Sequence, residues 1–344
     1  MNLPNCITSP SIGPSGVSAV RSGTDVVKAS REFQTENRWT SWFLLAETLI
    51  VLATGLWLVF HFQAWPMQVV VGLLVGLVQV RLFIFLHDTL HGALFSRDPL
   101  ARGIVWMVGV YLLTPRRVWQ ETHDHHHQNN IRQLGSVIGT YPILTVAMET
   151  KLSPTARTGY RIARHGLTMA AGLLTVVLGG MIGSAFIRQP RRHWGGLLVV
   201  GVQIAAFIAL AWYWGWVTAL CVQVIPLVVS AGIGAYLFYA QHNFPALRIR
   251  PREQWSHANA ALESSSMFEM SPMMHWFTGS IGYHHVHHLN HRIPFYRLRE
   301  AMAAMPELQN PGRTSWRLRD IRACLSLHVW DPQQNRMLTY GEKV

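Results

Sequence analysis

Long apolar stretches separated by polar segments dominate the middle of the chain. Four of them are about 20 residues long, the length that an α-helix needs to cross a bilayer core. They cover residues 41–61, 66–86, 195–215 and 217–240. Only the tetrapeptide FQAW separates the first two, which predicts a helical hairpin. The pattern predicts an all-α integral membrane protein with four transmembrane helices.

Two further apolar segments do not fit a simple crossing. Residues 103–114 are too short to span, so we expect them to dip into the membrane and return. Residues 166–187 are long enough, but arginines flank both ends, among them Arg161, Arg164 and Arg188. Basic loops stay on the cytoplasmic side. We therefore expect 166–187 to lie along the interface or to re-enter, with both chain termini in the cytoplasm.

The two ends of the chain are polar. Residues 1–38 are rich in Ser, Gly, Pro and charge, which predicts a flexible cytoplasmic tail. Residues 246–344 contain many arginines and only short apolar pieces, which predicts a helical cytoplasmic cap. The tail and a single membrane domain, residues 39–344, therefore make up the predicted organisation.

Composition supports the membrane interpretation. Hydrophobic residues make up 50% of the chain and charged residues 13%, whereas about 25% of a soluble domain is charged. A net charge of +12 would suit nucleic acid in a soluble protein. In a membrane protein it indicates basic loops beside anionic lipid, so no nucleic-acid partner is expected. The three scattered cysteines exclude a zinc finger and a four-cysteine iron–sulfur site.

Twelve of the 18 histidines fall in four places, at or near the ends of apolar segments. The spacings i, i+3 and i+4 place side chains on one helical face, so each group can offer imidazoles to a shared point. Nine such ligands are too many for one ion and suit two ions a few ångströms apart. Spacing leaves the metal open among Zn, Cu, Fe and Ni. The nine are His87, His91, His123, His126, His127, His242, His284, His287 and His288.

Other histidines invite less specific interpretations. An isolated histidine such as His61 is more often an interfacial or packed residue. His125, His285 and His291 lie outside the repeated spacing, so we expect them beside the site or at the surface. A histidine-rich, zinc-handling loop is an alternative, although such loops are usually low-complexity repeats. Here the groups are separate and regularly spaced.

The motifs resemble those of a known superfamily. HDTLH at residues 87–91, HDHHH at 123–127 and HHVHH at 284–288 are similar to the three histidine boxes of membrane-bound fatty acid desaturases. Similarity to bacterial acyl-lipid desaturases extends to LFYAQHNF at 237–244 and to the sequence around the third box. The stretch after the second box lacks an acidic residue that relatives often carry. His291 also stands where a proline or small residue is common.

The resemblance implies a non-haem di-iron centre held by the nine histidines, with Asp88 orienting a ligand imidazole. It implies that O₂ and two external electrons introduce a cis double bond into a membrane-lipid acyl chain. A hydroxylase or ketolase acting on a lipid or carotenoid is the alternative, because those enzymes share the boxes. Small residues along the spans could open an acyl tunnel, and close helix packing is the alternative for the glycines among them. They are Gly72, Gly76, Gly232, Gly234 and Ala235.

The electrons require a partner. The sequence carries neither the HPGG motif of a fused cytochrome b5 domain nor the cysteines of a fused ferredoxin. The resemblance therefore implies a separate donor, a ferredoxin or flavodoxin. We expect a multi-pass protein of the bacterial inner membrane, with the active site on the cytoplasmic side.

Overall fold

The structure is a computed structural model that describes residue 21 and residues 23–342. The α-helices are α1 Thr24–Ala29, α2 Arg38–His61, α3 Trp65–Leu90, α4 Pro99–Tyr111, α5 Arg116–Asn129, α6 Val146–Thr150, α7 Pro154–Ala163, α8 Gly166–Ala170, α9 Ser184–Arg188, α10 Pro190–Trp214, α11 Trp216–Ala219, α12 Ile225–His242, α13 His257–Glu263, α14 Pro272–Phe277, α15 His284–Leu289, α16 Leu298–Ala304 and α17 Leu318–Ser326. The π-helical segments are Leu173–Gly183 and Leu220–Val224. The 3-10 turns are Ser30–Gln34, Arg252–Gln254, Phe295–Arg297, Pro306–Leu308 and Tyr340–Glu342.

Four helices are long and apolar enough to cross a membrane, which confirms the predicted fold class. They are Arg38–His61, Trp65–Leu90, Pro190–Trp214 and Trp216–His242. The second is central, because 67% of its most apolar window is buried, against 17% for the first and 11% for the third. Leu173–Arg188 is apolar but shorter than these four.

Helix α3 continues beyond the predicted end at residue 86. It runs to Leu90, so that His87 and Asp88 lie in its last turn and His91 is the C-cap residue. All three side chains are buried. Polar residues remain helical here because the surrounding protein, rather than lipid, covers them. An apolar pattern alone therefore ends the helix one turn too early.

Arg81 lies inside α3, where a charge facing lipid would be costly. It is instead buried, with 3% of its surface exposed. Its Nε donates to Thr48 Oγ1 at 2.9 Å and its Nη1 to the Trp276 carbonyl at 2.6 Å. The carboxylate of Glu47 lies 3.4 Å from Nη2. This network joins α2, α3 and α14 within the apolar region.

Three glycines allow helices to approach closely. A Cβ at Gly72 would lie 2.6 Å from the Cys221 carbonyl oxygen, and one at Gly76 would lie 2.6 Å from Val229 Cβ. At Gly232 the nearest atom would be the Ala170 carbonyl oxygen, at 3.1 Å. Of the two interpretations of these glycines, the packing one fits the structure.

The prediction of a flexible N-terminal tail is wrong for residues 24–34. Helix α1 and the turn after it pack against the rest of the protein, with Val26 and Phe33 buried in the main core. Asn290 Nδ2 donates to Ser30 Oγ at 2.8 Å, beside the third histidine box. Val26 and Phe33 are seven residues apart, a spacing that places two side chains on one helical face. Residues 1–20 and 22 lie outside the described residues.

Short β-strands connect loops around the cap. The all-helical prediction did not include them. They are β1 Leu144–Thr145, β2 Met267–Glu269, β3 Arg313–Ser315, β4 Val329–Asp331 and β5 Arg336–Leu338. β1 pairs in parallel with β4, β4 pairs antiparallel with β5, and β2 pairs in parallel with β3. Strands of two or three residues are too short to leave an alternating pattern in the sequence.

Candidate metal centre

Histidine side chains from four helices meet at one end of the helical bundle. Helix α3 supplies two from its C-terminal end, α5 three, α12 its last residue and the short α15 three. Eight of the nine are buried and His123 is partly buried. The structure thus brings together all nine histidines that the sequence singled out, in two neighbouring groups.

The first group joins helices α3, α5 and α15. Its five members are His87, His91, His123, His127 and His287, whose candidate ligand atoms all lie within 4.8 Å of one another. The Nε2 atom of His127 is 3.0 Å from that of His123 and 3.1 Å from that of His287. One ion could contact every member of this group.

The second group joins α5, α12 and α15. Candidate ligand atoms of His126, His242 and His288 lie within 4.8 Å of one another. His284 completes this group, because its Nε2 atom is 2.9 Å from that of His242 and 3.1 Å from that of His288. The Nε2 atoms of His126 and His242 are 3.1 Å apart.

The two groups touch through rings. His127 of the first group stacks on His288 of the second, with centroids 4.5 Å apart. The consecutive residues His126 and His127 send their side chains to different groups, as do His287 and His288. One helical spacing, HxxHH, therefore serves two neighbouring sites at once.

The donor set fits metal ions better than it fits hydrogen bonds alone. Metal–imidazole bonds are about 2.1 Å long, so ligands at right angles around one ion lie about 3 Å apart, as these Nε2 atoms do. His91 Nε2 is buried without a hydrogen-bond partner in the part of the chain that the structure describes. A buried imidazole nitrogen left unpaired costs free energy, and a metal ion would satisfy it.

Burial favours the neutral form of an imidazole, which is the form that binds metals. It lowers the pKa of His123, His126 and His127 on α5 well below the usual range. The same cause lowers the pKa of the three box histidines on α15, His284, His287 and His288. Neighbouring imidazoles lower each pKa further, because a second positive charge nearby would be unfavourable.

Asp88 holds the ring of His87. Its Oδ1 lies 2.8 Å from His87 Nδ1, and its Oδ2 accepts from the Phe295 backbone N–H at 2.8 Å. A carboxylate on Nδ1 fixes that proton and turns Nε2 toward the first group. The backbone contact also ties the end of α3 to the segment after the third box.

Three histidines outside the repeated spacing lie close to the groups. His285 is fully buried and its Nε2 lies 3.1 Å from the Leu308 carbonyl oxygen, a structural contact. The His291 ring packs against His91 and His127, with centroids 4.6 and 5.1 Å away. His125 lines a cavity beside the second group.

Arg164 is a residue whose role the sequence did not reveal. Its basic character suggested a loop charge, yet its side chain is completely buried. Nη1 donates to the Pro142 carbonyl at 2.6 Å, and Nη2 donates to Asn243 Oδ1 at 2.6 Å. Asn243 follows His242 and donates to the Cys324 carbonyl at 2.7 Å. Arg164 thereby holds the side chain of Asn243, the residue that follows His242 of the second group.

Comparison with known proteins identifies the class. Residues 63–319 match the family model described as fatty acid desaturase. The chain belongs to the fatty acid desaturase family. It is therefore an oxidoreductase, and its four apolar helices are those of a membrane desaturase. The resemblance inferred from the histidine boxes is confirmed.

Individual relatives agree with the family. A fatty acid desaturase of Bacillus subtilis (strain 168) is 29% identical over 269 residues, which cover 76% of this chain and 74% of that protein. An sn-1 oleoyl-lipid 12-desaturase of Synechocystis is 23% identical over 85% of this chain and 84% of that relative. An sn-1 acyl-lipid omega-3 desaturase (ferredoxin) of Synechocystis is 24% identical over 262 residues, which cover 71% of this chain and 69% of that relative.

Proposed function

We propose that this desaturase introduces a cis double bond into an acyl chain of a membrane lipid, using O₂ and two electrons from a separate carrier protein. The observation that carries the proposal is the meeting of nine imidazoles in two adjacent groups. Seven of them approach one another through Nε2 at hydrogen-bonding distances. The lipid-acting relatives support acyl lipids as the substrate class.

The first ion would be held by His87, His91, His123, His127 and His287, and the second by His126, His242, His284 and His288. Bound as iron, the pair would supply the O₂-dependent oxidation of two adjacent C–H bonds. Neutral, buried imidazoles leave the charge of each ion uncompensated by ligands. Asp88 would contribute a compensating carboxylate through His87.

The protein's own task is positioning. An acyl chain has no polar group at the reacting carbons, so its depth has to be fixed by apolar contacts. Phe238 lies against the second group, 4.9 Å from the His126 ring and 5.5 Å from the His242 ring. Trp119 stacks on His123 of the first group at 4.2 Å. Such rings exclude water around the reacting carbons.

The proposal also covers the electron donor and the orientation of the chain in the membrane. The name of one relative includes ferredoxin, and a small acidic carrier would complement a chain of net charge +12. A ferredoxin or flavodoxin meets that requirement. We place the histidine groups, the cap and both termini on the cytoplasmic side of a bacterial inner membrane, where the basic loops belong. Residues 39–344 then act as one desaturase domain.

The test is expression in a bacterium that lacks desaturases, followed by gas chromatography–mass spectrometry of the membrane fatty acids. We expect new unsaturated chains that disappear in His284→Ala and persist in His61→Ala, which alters an exposed histidine far from the groups. The purified protein should contain about two iron ions per chain. Hydroxylated or keto products would overturn the proposed reaction in favour of an oxygenase.

Substrate class needs its own measurement. The purified enzyme, supplied with reduced ferredoxin, is given phospholipid vesicles or the matching acyl thioester. We expect double bonds in the vesicle lipid. Turnover of the thioester alone would contradict the acyl-lipid assignment while leaving desaturation intact.

A further inference from the structure

A small cavity reaches the second histidine group from the protein surface. Its volume is about 30 Å³, enough for about two water molecules. His126 and His242 form its inner wall. Gln133 and Ile138, both exposed, lie at its outer end. The loop between α5 and β1 therefore leaves a narrow path from solvent to the second group.

The cavity carries polar groups that lack partners. The Tyr141 hydroxyl and His125 Nδ1 are buried and have no hydrogen-bond partner among the described residues, and both residues line the cavity. A buried hydroxyl without a partner costs free energy unless water satisfies it. Asn129 Nδ2 donates to the His125 carbonyl, and Gln133 Nε2 donates to Asn129 Oδ1, which continues the polar lining outward.

Tyr141 is held in place by its ring. It packs edge-on against Tyr239, with centroids 5.1 Å apart, and beside Phe238 at 6.1 Å. Phe238 in turn contacts His126 and His242. The Tyr141 ring is thus one side-chain layer from the second group, and Tyr141 lines the same cavity as His126 and His242. Burial raises the pKa of Tyr141, so the hydroxyl keeps its proton.

The reaction creates a need for such a path. Removing two hydrogens from a CH₂–CH₂ unit releases two electrons and two protons. Reducing O₂ to two waters consumes four electrons and four protons. The carrier protein supplies the other two electrons, so two protons have to arrive from solvent and two waters have to leave. A site lined by apolar groups for an acyl chain cannot conduct protons or water.

We propose that this cavity is the route by which protons enter and water leaves, and that the Tyr141 hydroxyl relays the protons. The inference rests on the proposed function and adds a residue to it. The hydroxyl accepts a proton from cavity water on the solvent side as it donates its own toward the second group. It therefore carries no net charge between turnovers.

Tyr141→Phe tests the relay, because it removes the hydroxyl and keeps the ring packed on Tyr239. We expect the iron content to be unchanged. The rate of coupled desaturation, in which each O₂ consumed yields one double bond, should fall at least about tenfold, as for other positioned proton donors. Hydrogen peroxide should be released instead of water. The solvent isotope effect should rise. Tyr236→Phe is the matched control, since its hydroxyl is also buried without a described partner, but its ring packs beside Trp316 and Tyr236 does not line the cavity.

Ile138→Trp tests the path independently of turnover. It should narrow the outer end of the cavity and slow the loss of iron to a small chelator several-fold. Val137→Trp alters the adjacent exposed position, which does not line the cavity, and should not slow it. This measurement needs bound metal but no substrate, so it stands even if desaturation itself is not observed.

The outcomes separate clearly. Coupled turnover of Tyr141→Phe at the unaltered rate would overturn the relay, and so would a loss of iron from that variant, because the hydroxyl would then be structural. Equal chelator rates for the two tryptophan variants would overturn the path. An unaltered protein that holds two irons and makes no double bond would refute the proposed function instead.

Discussion

The Nδ1 atom of His87 lies 2.8 Å from the Oδ1 atom of Asp88, the next residue in the chain. Consecutive residues on a helix do not normally face each other. Here the last turn of α3 turns the two side chains together, and Phe295 fixes the carboxylate from the other side. A hydrogen bond between neighbours thus becomes part of the candidate metal centre.

We expect Asp88→Asn to weaken metal binding about 10- to 100-fold, the usual cost of removing a carboxylate behind a ligand histidine. The measurement is iron per chain after dialysis against graded chelator. Asp124→Asn is the control, because Asp124 is also acidic and lies between box histidines on α5. Equal iron retention in both variants would show that Asp88 does not orient His87.

Arg164→Gln should destabilise the protein by on the order of 3 kcal/mol, since it removes the donor to the Pro142 carbonyl and to the buried Oδ1 atom of Asn243. Thermal unfolding in detergent measures the change. Arg161→Gln alters an exposed arginine one turn earlier, which rests on the Tyr340 ring, and should shift the midpoint far less. A smaller shift for Arg164 than for Arg161 would contradict the role assigned to it.

Gly139→Ala should disturb the cavity loop and α5 together. Gly139 has φ +62°, and a Cβ there would overlap the Thr122 carbonyl oxygen. The left-handed backbone alone costs a non-glycine residue about 1–2 kcal/mol. We expect a lower unfolding temperature and reduced iron content. Gly159→Ala, in helix α7 with open space around it, should instead stabilise the protein by about 0.5–1 kcal/mol.

Asp98 should give the protein an acid-dependent contribution to stability. Hydrogen bonds from Arg38, and then from the Ala101 backbone and Trp42, lower the pKa of Asp98 from 3.8 to about 2. A lowered carboxyl pKa stabilises the folded state above pH 4, and that stabilisation disappears as the pH falls from about 4 to 2. The unfolding midpoints of the unaltered protein and Asp98→Asn should therefore converge over that interval. A difference in midpoint that stays constant between pH 4 and pH 2 would contradict the contribution of Asp98 to stability.

Patterns within one helix could be predicted from the sequence. The apolar runs gave four spans, and the spacing HxxHH placed His123, His126 and His127 on one face of α5. What could not be predicted were contacts between residues far apart in the chain. Arg164 and Asn243 are 79 residues apart, and neither carries a local signal of its partner. Burial of an arginine depends on acceptors that only the fold brings to it.

The ends of the chain were the least predictable parts. Val26 and Phe33 are isolated apolar residues in a polar segment, so their composition resembled that of a tail. Their burial depends on a surface formed by residues near 290–308. Apolar pairs of this kind give too weak a local signal to distinguish a docked helix from a flexible one.

The strand pairing of β1 with β4 has a consequence for biosynthesis. Val329 pairs with Leu144 in the loop that follows the second histidine box, while Ser30, in the 3-10 turn after α1, bonds to Asn290 just after the third box. Closure of the cap therefore depends on residues that are synthesised well after the second histidine box. Early helices can insert during translation, whereas the cap can close only after Val329 has been made, so newly made protein should pass through a membrane-inserted stage in which this strand pairing is still missing.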